Sequence, residues 1–367
     1  MHLVIDISGH GLGHATQVMP VAARLQERLP SLRLTLRTAV PEAHVRTFGA
    51  AVAEVLPAVP DVGLANRDPM TVDADASAER YAALHADWPG LVETQAKALA
   101  ALRPTAMLAN VPHLSMAAAR RAGVPAIALS SVNWGVIYRA FCGARPEAGR
   151  IADEIESAYA GADAFIQVTP HLDMPSLGNA VEVGPIGRVG ADRRDALRAA
   201  VGAAPGTDVV LAAFGGIAGW PIPGALPVAP GIAWIVPERA LARAGGPRAD
   251  LRAAEATGLA FVDLLASVDV VVTRAGYGTI VEAALAGARL VAVAGGEWPE
   301  EPGLFAWAAQ NAATVTIARA RLPGNAGADG DLVAAIRTAL DCPLPPRPLP
   351  TGIDAAAAHV ARRLGAS

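Results

Sequence analysis

The chain has 367 residues, of which 53% are hydrophobic and 17% charged, with a formal net charge of -4. That length allows two domains, and that composition supplies large cores and excludes wholesale disorder. No basic block occurs anywhere, which disfavours recognition of nucleic acid or an anionic membrane through a charge field.

Cys142 and Cys342 lie far apart, fit no metal-ligand or redox spacing, and suit a reducing cytoplasm, although they are also compatible with a single disulfide. The opening residues, MHLVIDISGHG, carry no positive leader and too short an apolar run for a signal peptide. The longest uncharged stretch, Val209 to Pro237, is interrupted by Gly and Pro, unlike a bilayer-spanning helix of ~20 apolar residues. The expectation is a cytoplasmic protein with no transmembrane segment.

In chain order, the apolar run Leu3–Ile7 predicts a buried strand, and Ser8 to His14 form a Gly/His loop. Val18, Ala22, Leu25 and Leu29 then recur at helical spacing. Strands are predicted at 32–37, 52–56, 106–108, 126–129 and 164–168, with helices at 41–48, 113–122 and one long helix near 78–101. The Gly/Pro-rich Val183–Gly187 predicts a linker. A second series follows, with strands at 209–213, 232–236, 259–261, 270–273, 290–293 and 314–317 and helices at 277–286 and 303–311. A Pro-rich segment, 343–350, precedes a final helix at 353–365, expected to pack back on the first domain. Strands alternating with helices imply parallel βαβ units. The predicted domains are 1–183 and 184–345, with 346–367 as the C-terminal helix. Open parallel sheets bind ligands beyond their strand C-termini, so the site is expected in a cleft between the domains.

The first motif is Gly9-His10-Gly11-Leu12-Gly13-His14. Glycines permit close ligand approach, and a following helix N-terminus favours phosphate. No Lys-Ser/Thr follows, so it is not a P-loop, and the spacing departs from the dinucleotide G-x-G-x-x-G. His10 and His14 at i and i+4 could suggest a metal pair, but no third ligand is near and the glycines argue against a helix there. Either histidine could act as a general base near neutral pH, or both could brace the loop by bonding its backbone; His14 is favoured because it adjoins the helix start.

The second motif, Thr273-Arg274-Ala275-Gly276-Tyr277-Gly278-Thr279 with Glu282 beyond it, runs from a strand through a Gly-x-Gly turn into a helix. Its amides suit an anion, and Glu282 could meet a ribose or merely complement the helix dipole. Gly295-Gly296-Glu297 with Glu300 and Glu301 could hold sugar hydroxyls or form a solvated loop, and Gly215-Gly216 could approach a diphosphate. Asp73-Ala74-Asp75 has the form of a metal-binding D-x-D but lies in a polar stretch with no strand before it, and is read as surface.

Taken together, these loops resemble the glycosyltransferase-B fold: two Rossmann-like α/β domains facing across a cleft. The C-terminal element is similar to that of the peptidoglycan N-acetylglucosaminyltransferase. Asn110-Val111-Pro112, Gly123-Val124-Pro125, Asn133-Trp134-Gly135 and Glu300-Glu301-Pro302 resemble the glycosyltransferase-like module of L-arabinokinases and its bacterial homologues. That module usually has Asp where this chain has Asn110, and its companion kinase domain has no counterpart here.

The resemblance implies transfer of a sugar from a nucleoside-diphosphate donor, UDP-linked, to an unidentified acceptor hydroxyl, with neither metal nor cofactor. Donor contacts would fall to Gly215, Gly216, Arg274, Gly276, Gly278, Thr279, Glu282, Glu297, Glu300 and Glu301. The acceptor-side loop would comprise Gly11, Gly13, Asn110 and Asn133, with His14 as base and His10 beside it. A nucleotide-sugar epimerase or hydrolase of the same fold, or a non-catalytic nucleotide-sugar-binding module, are the alternatives. Oligomeric state is left open.

Overall fold

Leu3, Val4 and Ile5 are fully buried in the first strand, because a parallel strand is covered on both faces and needs no polar alternation. The computed structural model describes residues 1–57, 61–217, 219–246, 248–328 and 330–365. The chain runs β1 (His2–Ile7), α1 (Gly13–Arg28), β2 (Arg33–Thr38), α2 (Glu42–Arg46) and β3 (Glu54–Leu56). It continues through β4 (Asn66–Asp68), β5 (Thr71–Val72), α3 (Ala74–Leu84), α4 (Trp88–Ala101), β6 (Ala106–Asn110) and α5 (His113–Ala122). Next come β7 (Ala126–Ser130), α6 (Trp134–Cys142), α7 (Ala148–Ala160), β8 (Ala164–Val168) and β9 (Ala180–Val183). The second series is α8 (Arg194–Val201), β10 (Asp208–Ala212), β11 (Ile232–Val236), β12 (Leu251–Ala253), α9 (Phe261–Ser267) and β13 (Val270–Arg274). It ends with α10 (Tyr277–Ala286), β14 (Arg289–Ala294), α11 (Glu301–Asn311), β15 (Thr314–Ala318), α12 (Asp331–Asp341) and α13 (Gly352–Arg363).

Two compact units result. The first comprises Met1–Asn66, Val72–Ile186 and Pro350–Ser367; the second comprises Arg67–Thr71 and Gly187–Leu349. Among the described residues, the first unit holds a parallel sheet in the order β3-β2-β1-β6-β7-β8-β9. Inside it, Asp6 is fully buried and takes two bonds from Arg37, at 2.7 and 2.6 Å, and one from the Ser115 hydroxyl. Burial raises the Asp6 pKa while Arg37 opposes the shift, so the pair is a satisfied core ion pair. Helix α13 lies along α1, where Asp354 accepts from Arg24 at 3.1 Å and Arg28 at 2.7 Å.

The second unit's sheet has the order β12-β11-β10-β13-β14-β15. Alternate residues of β10 face opposite layers: Val210 and Ala212 pack with Trp234 and Ile336, Val209 and Leu211 with Leu264 and Ile280. Met70 is 1% exposed within the first of these clusters, and Asp68 takes a bond from Arg319 at 2.8 Å. These contacts build the excursion 67–71 into the second unit.

Three expectations need correction. The long helix near 78–101 is broken between α3 and α4, because the Asp87 carboxylate caps α4 by accepting from the Gly90 amide at 3.1 Å, with Pro89 in its first turn. Residues 259–261 are not a strand: Phe261 opens α9, and the edge strand is Leu251–Ala253. Three apolar residues carry too little periodicity to separate the two states. Asp73 does follow a strand, β5, and it caps α3 by accepting from the Ala76 amide, while Asp75 is exposed and paired with Arg145.

Candidate functional site

In the first unit, β1 is followed in space by β6 but in sequence by β2 on its other side, so the connections diverge between β1 and β6. Such a switch point opens a crevice at the strand C-termini. Ile7 pairs with Asn110 there, the 8–12 loop leaves β1, and α1 begins at Gly13 with His14 second. Helix geometry thus reaches the end of the motif, although the two glycines argued against it.

The His14 Nδ1 lies 2.7 Å from Asn110 Oδ1. Asn110 Nδ2 donates to Gln17 Oε1 at 2.9 Å, which also accepts the Ser131 amide at 3.2 Å. Gln17 Nε2 in turn donates to the Ser131 hydroxyl at 2.7 Å. This chain orients the Asn110 amide with its oxygen toward His14. The proton of the neutral imidazole therefore sits on Nδ1, and Nε2 keeps its lone pair. Burial lowers the His14 pKa, with the Asn110 bond opposing, so the ring is neutral at neutral pH.

His10 stands outside the helix. Its ring meets Trp134 edge-on at 5.3 Å, and His14 lies tilted against the same indole at 5.9 Å. Gly11 adopts a left-handed φ of 83°, while Gly13 is exposed at the helix start. Asn133 caps α6, accepting from the Gly135 amide at 2.7 Å and the Val136 amide at 3.4 Å. His14, His10, Gly11, Gly13 and Asn110 thus gather at one sheet edge, with Asn133 bound to α6. Among the described residues, no three His, Cys, Asp or Glu side chains are grouped to hold a metal ion.

In the second unit the switch point falls between β10 and β13. Because β10, β13 and β14 are parallel neighbours, the 213–216, 275–278 and 295–301 loops leave the same edge. Gly215 has a φ of 81°. The Arg274 guanidinium lies beside it, donating through Nε to the Phe214 carbonyl at 3.2 Å and through Nη1 to the Ala275 carbonyl at 2.6 Å. Gly276 caps α10 and, lacking a side chain, makes no cap hydrogen bond to the first-turn amides.

The acidic cluster divides by role. Glu301 accepts from the Gly295 amide at 2.8 Å and the Gly296 amide at 3.1 Å, folding back on its own loop. Burial pushes the Glu300 carboxyl up to about 7, with Arg274 pulling down and Glu301 pushing up. Glu297 is exposed, with a left-handed φ of 57°. Glu282 is 2% exposed, and its Oε1 accepts from the Arg188 amide at 3.1 Å and Nε at 2.9 Å. Burial raises its pKa and Arg188 opposes. The carboxylate expected to meet a ribose is therefore bonded to the linker arginine here.

Gln17, Ser131 and Asp61 belong to the first unit's site yet carry no motif signal, and Trp134 is marked only as part of the Asn133-Trp134-Gly135 resemblance. Gln17 lies one turn beyond His14 on α1, whereas Ser131 and Trp134, which follow β7, are brought to them by the pairing of β1 with β6 and of β6 with β7. Asp61 follows β3 in an irregular segment, and burial raises its carboxyl to about 6.

No protein-family model matches the chain. It is 26% identical to the L-arabinokinase of Arabidopsis thaliana over 228 residues, which is 60% of this chain and 22% of that protein. Among solved structures, the glycotransferase of kitacinnamycin is similar over 99% of this chain and 98% of its own, with a TM-score of 0.59 and 16% identity. A UDP-glucosyltransferase from Polygonum tinctorium, solved in complex with 3,4-dichloroaniline, covers 100% and 99% with a TM-score of 0.57 and 13% identity. UGT89C1 of Arabidopsis thaliana, solved with UDP, covers 99% and 98% with a TM-score of 0.57 and 15% identity. At these identities the likeness is one of architecture. The chain has the glycosyltransferase-B fold, two Rossmann-like domains each built on a parallel α/β sheet.

Proposed function

We propose that the chain is a glycosyltransferase that moves a sugar from a UDP-linked donor to an acceptor hydroxyl. The observation that carries this reading is the Ser131–Gln17–Asn110–His14 chain, which leaves one neutral imidazole with its Nε2 lone pair available at a switch point. His14 Nε2 takes the acceptor proton as the acceptor oxygen bonds to the anomeric carbon, and the bond from that carbon to the diphosphate breaks. The second domain receives the donor: the amides around Gly215, Gly216 and the first turn of α10 stabilise the departing diphosphate, so no metal is required. UDP as the nucleotide is supported by the UDP-bound relative of the same fold. A cytoplasmic location, with Cys142 and Cys342 as free thiols, belongs to the same reading.

Steady-state kinetics with a panel of UDP-sugars and hydroxyl acceptors test this. His14→Ala should lower turnover by ~10²–10⁴-fold while UDP affinity, read by calorimetry, stays nearly unchanged. Full activity in His14→Ala would remove the base assignment. UDP-sugar binding without turnover in the parent chain would favour a binding module instead.

A further inference from the structure

Both carboxylate oxygens of Asp61 are buried without a well-formed hydrogen bond, although the Ser8 hydroxyl and the Gly63 amide stand beside them. The Tyr81 and Tyr138 hydroxyls, Trp134 Nε1 and Asn66 Oδ1 are in the same condition. Contacts tie these groups into one patch of the first domain. Asp61 is within electrostatic reach of Tyr81, whose ring lies 4.7 Å from that of Tyr138. The His10 ring fills the space where a side chain at Gly63 would go, lies 3.5 Å from Asn66 Nδ2 and rests on Trp134. Protein interiors leave few polar atoms unpaired, so a patch of them marks a place that a polar ligand completes.

Resting on the glycosyltransferase reading above, we propose that Asp61, Asn66, Tyr81, Trp134 and Tyr138 line the acceptor pocket, and that the acceptor is a compact polyhydroxylated molecule, a sugar or sugar-like polyol. Trp134 Nε1 only donates, Asp61 and Asn66 Oδ1 only accept, and the tyrosine hydroxyls do both. A hydroxyl also donates and accepts, so a polyol serves every member of the set. An ammonium brings donors alone and leaves the indole N–H unserved. A carboxylate or phosphate brings acceptors alone and meets the Asp61 charge. A flat apolar aglycone serves none and leaves all of them buried and unpaired. The indole that closes the patch also touches His14, so a polyol held there presents a hydroxyl to the proposed base.

The test uses the full chain and saturation-transfer NMR with D-glucose, D-galactose, L-arabinose and myo-inositol, against phenol and methylammonium as rival probes, with UDP binding followed by calorimetry. At least one of the polyols should bind, and Asp61→Asn and Tyr81→Phe should each weaken it by roughly 5- to 50-fold with UDP affinity unchanged. Both substitutions are nearly isosteric, and Tyr81→Phe removes only a hydroxyl, so a parent-like far-UV circular dichroism spectrum and cooperative melting certify the fold of the first domain, in which both residues lie. Failure of every polyol in a chain that binds UDP overturns the pocket and leaves the transferase reading standing. Polyol binding equal in parent and both variants, or binding of phenol or methylammonium alone, overturns it too. Polyol binding that depends on Asp61 in a chain that ignores UDP supports the pocket and overturns the transferase reading.

Discussion

Replacing Asn110 with Asp would place a carboxylate where a neutral amide oxygen now sits, 2.7 Å from His14 Nδ1. In the parent chain, burial holds the His14 pKa below 6.5 and the Asn110 dipole only partly restores it. A folded pKa below the unfolded one means that protonation of His14 opposes folding, so neutral imidazole dominates at pH 7. A full negative charge at hydrogen-bond distance favours imidazolium and should raise the His14 pKa by about 1–3 pH units, or roughly 1.4–4 kcal/mol of differential interaction. The variant also loses the 2.9 Å bond from Asn110 Nδ2 to Gln17, at a cost of about 1 kcal/mol in stability. Titration of the His14 imidazole by NMR, with selectively labelled histidine, reads the shift whether or not a substrate is in hand. If the chain turns over UDP-sugars, the acidic limb of its pH–rate profile should move upward by the same amount. A parent His14 that titrates above 6.5, or an Asn110→Asp variant with an unmoved His14, would refute both the tautomer assignment and the coupling inferred from the geometry.

Asp61→Asn should stabilise the fold while weakening ligand. A carboxyl raised from 3.8 to about 6 on folding penalises the folded state once ionised, by about 3 kcal/mol above pH 6. The variant's thermal advantage should therefore be full at pH 8, shrink as pH falls through 6 and vanish below 4; equal melting at pH 8 would sink the claim. Arg188→Met leaves the Glu282 carboxylate buried without its cation and should cost ~3–5 kcal/mol, well beyond Glu282→Gln, which keeps an acceptor for Arg188. Comparable melting losses in the two variants would show that the pair's charge has little structural weight.

What the linear chain determined is everything set by near neighbours. Continuous apolar runs at 3–7 and 270–273 announced strands covered on both faces, and helical spacing announced residues 277–286, because period and burial follow from local geometry alone. The Asp87-Trp88-Pro89 cap that divides α3 from α4 was equally local, and legible in principle. The glycine loops too could be placed at strand ends before any contact was known.

Tertiary structure decided what depends on residues far apart in sequence. Which way the Asn110 amide points, and so which nitrogen of His14 is free, follows from Gln17 on α1 and from Ser131; the pairing of β1 with β6 and of β6 with β7 brings Asn110 and Ser131 to that helix. The Glu282 carboxylate meets Arg188 only because the linker folds against α10, and residues 67–71 join the second unit through Met70 and Asp68. Asp61 shows no pattern in the sequence, since the burial that raises its carboxyl is defined by what surrounds it. Periodicity encodes which face of an element is covered; it carries no record of which distant side chain does the covering.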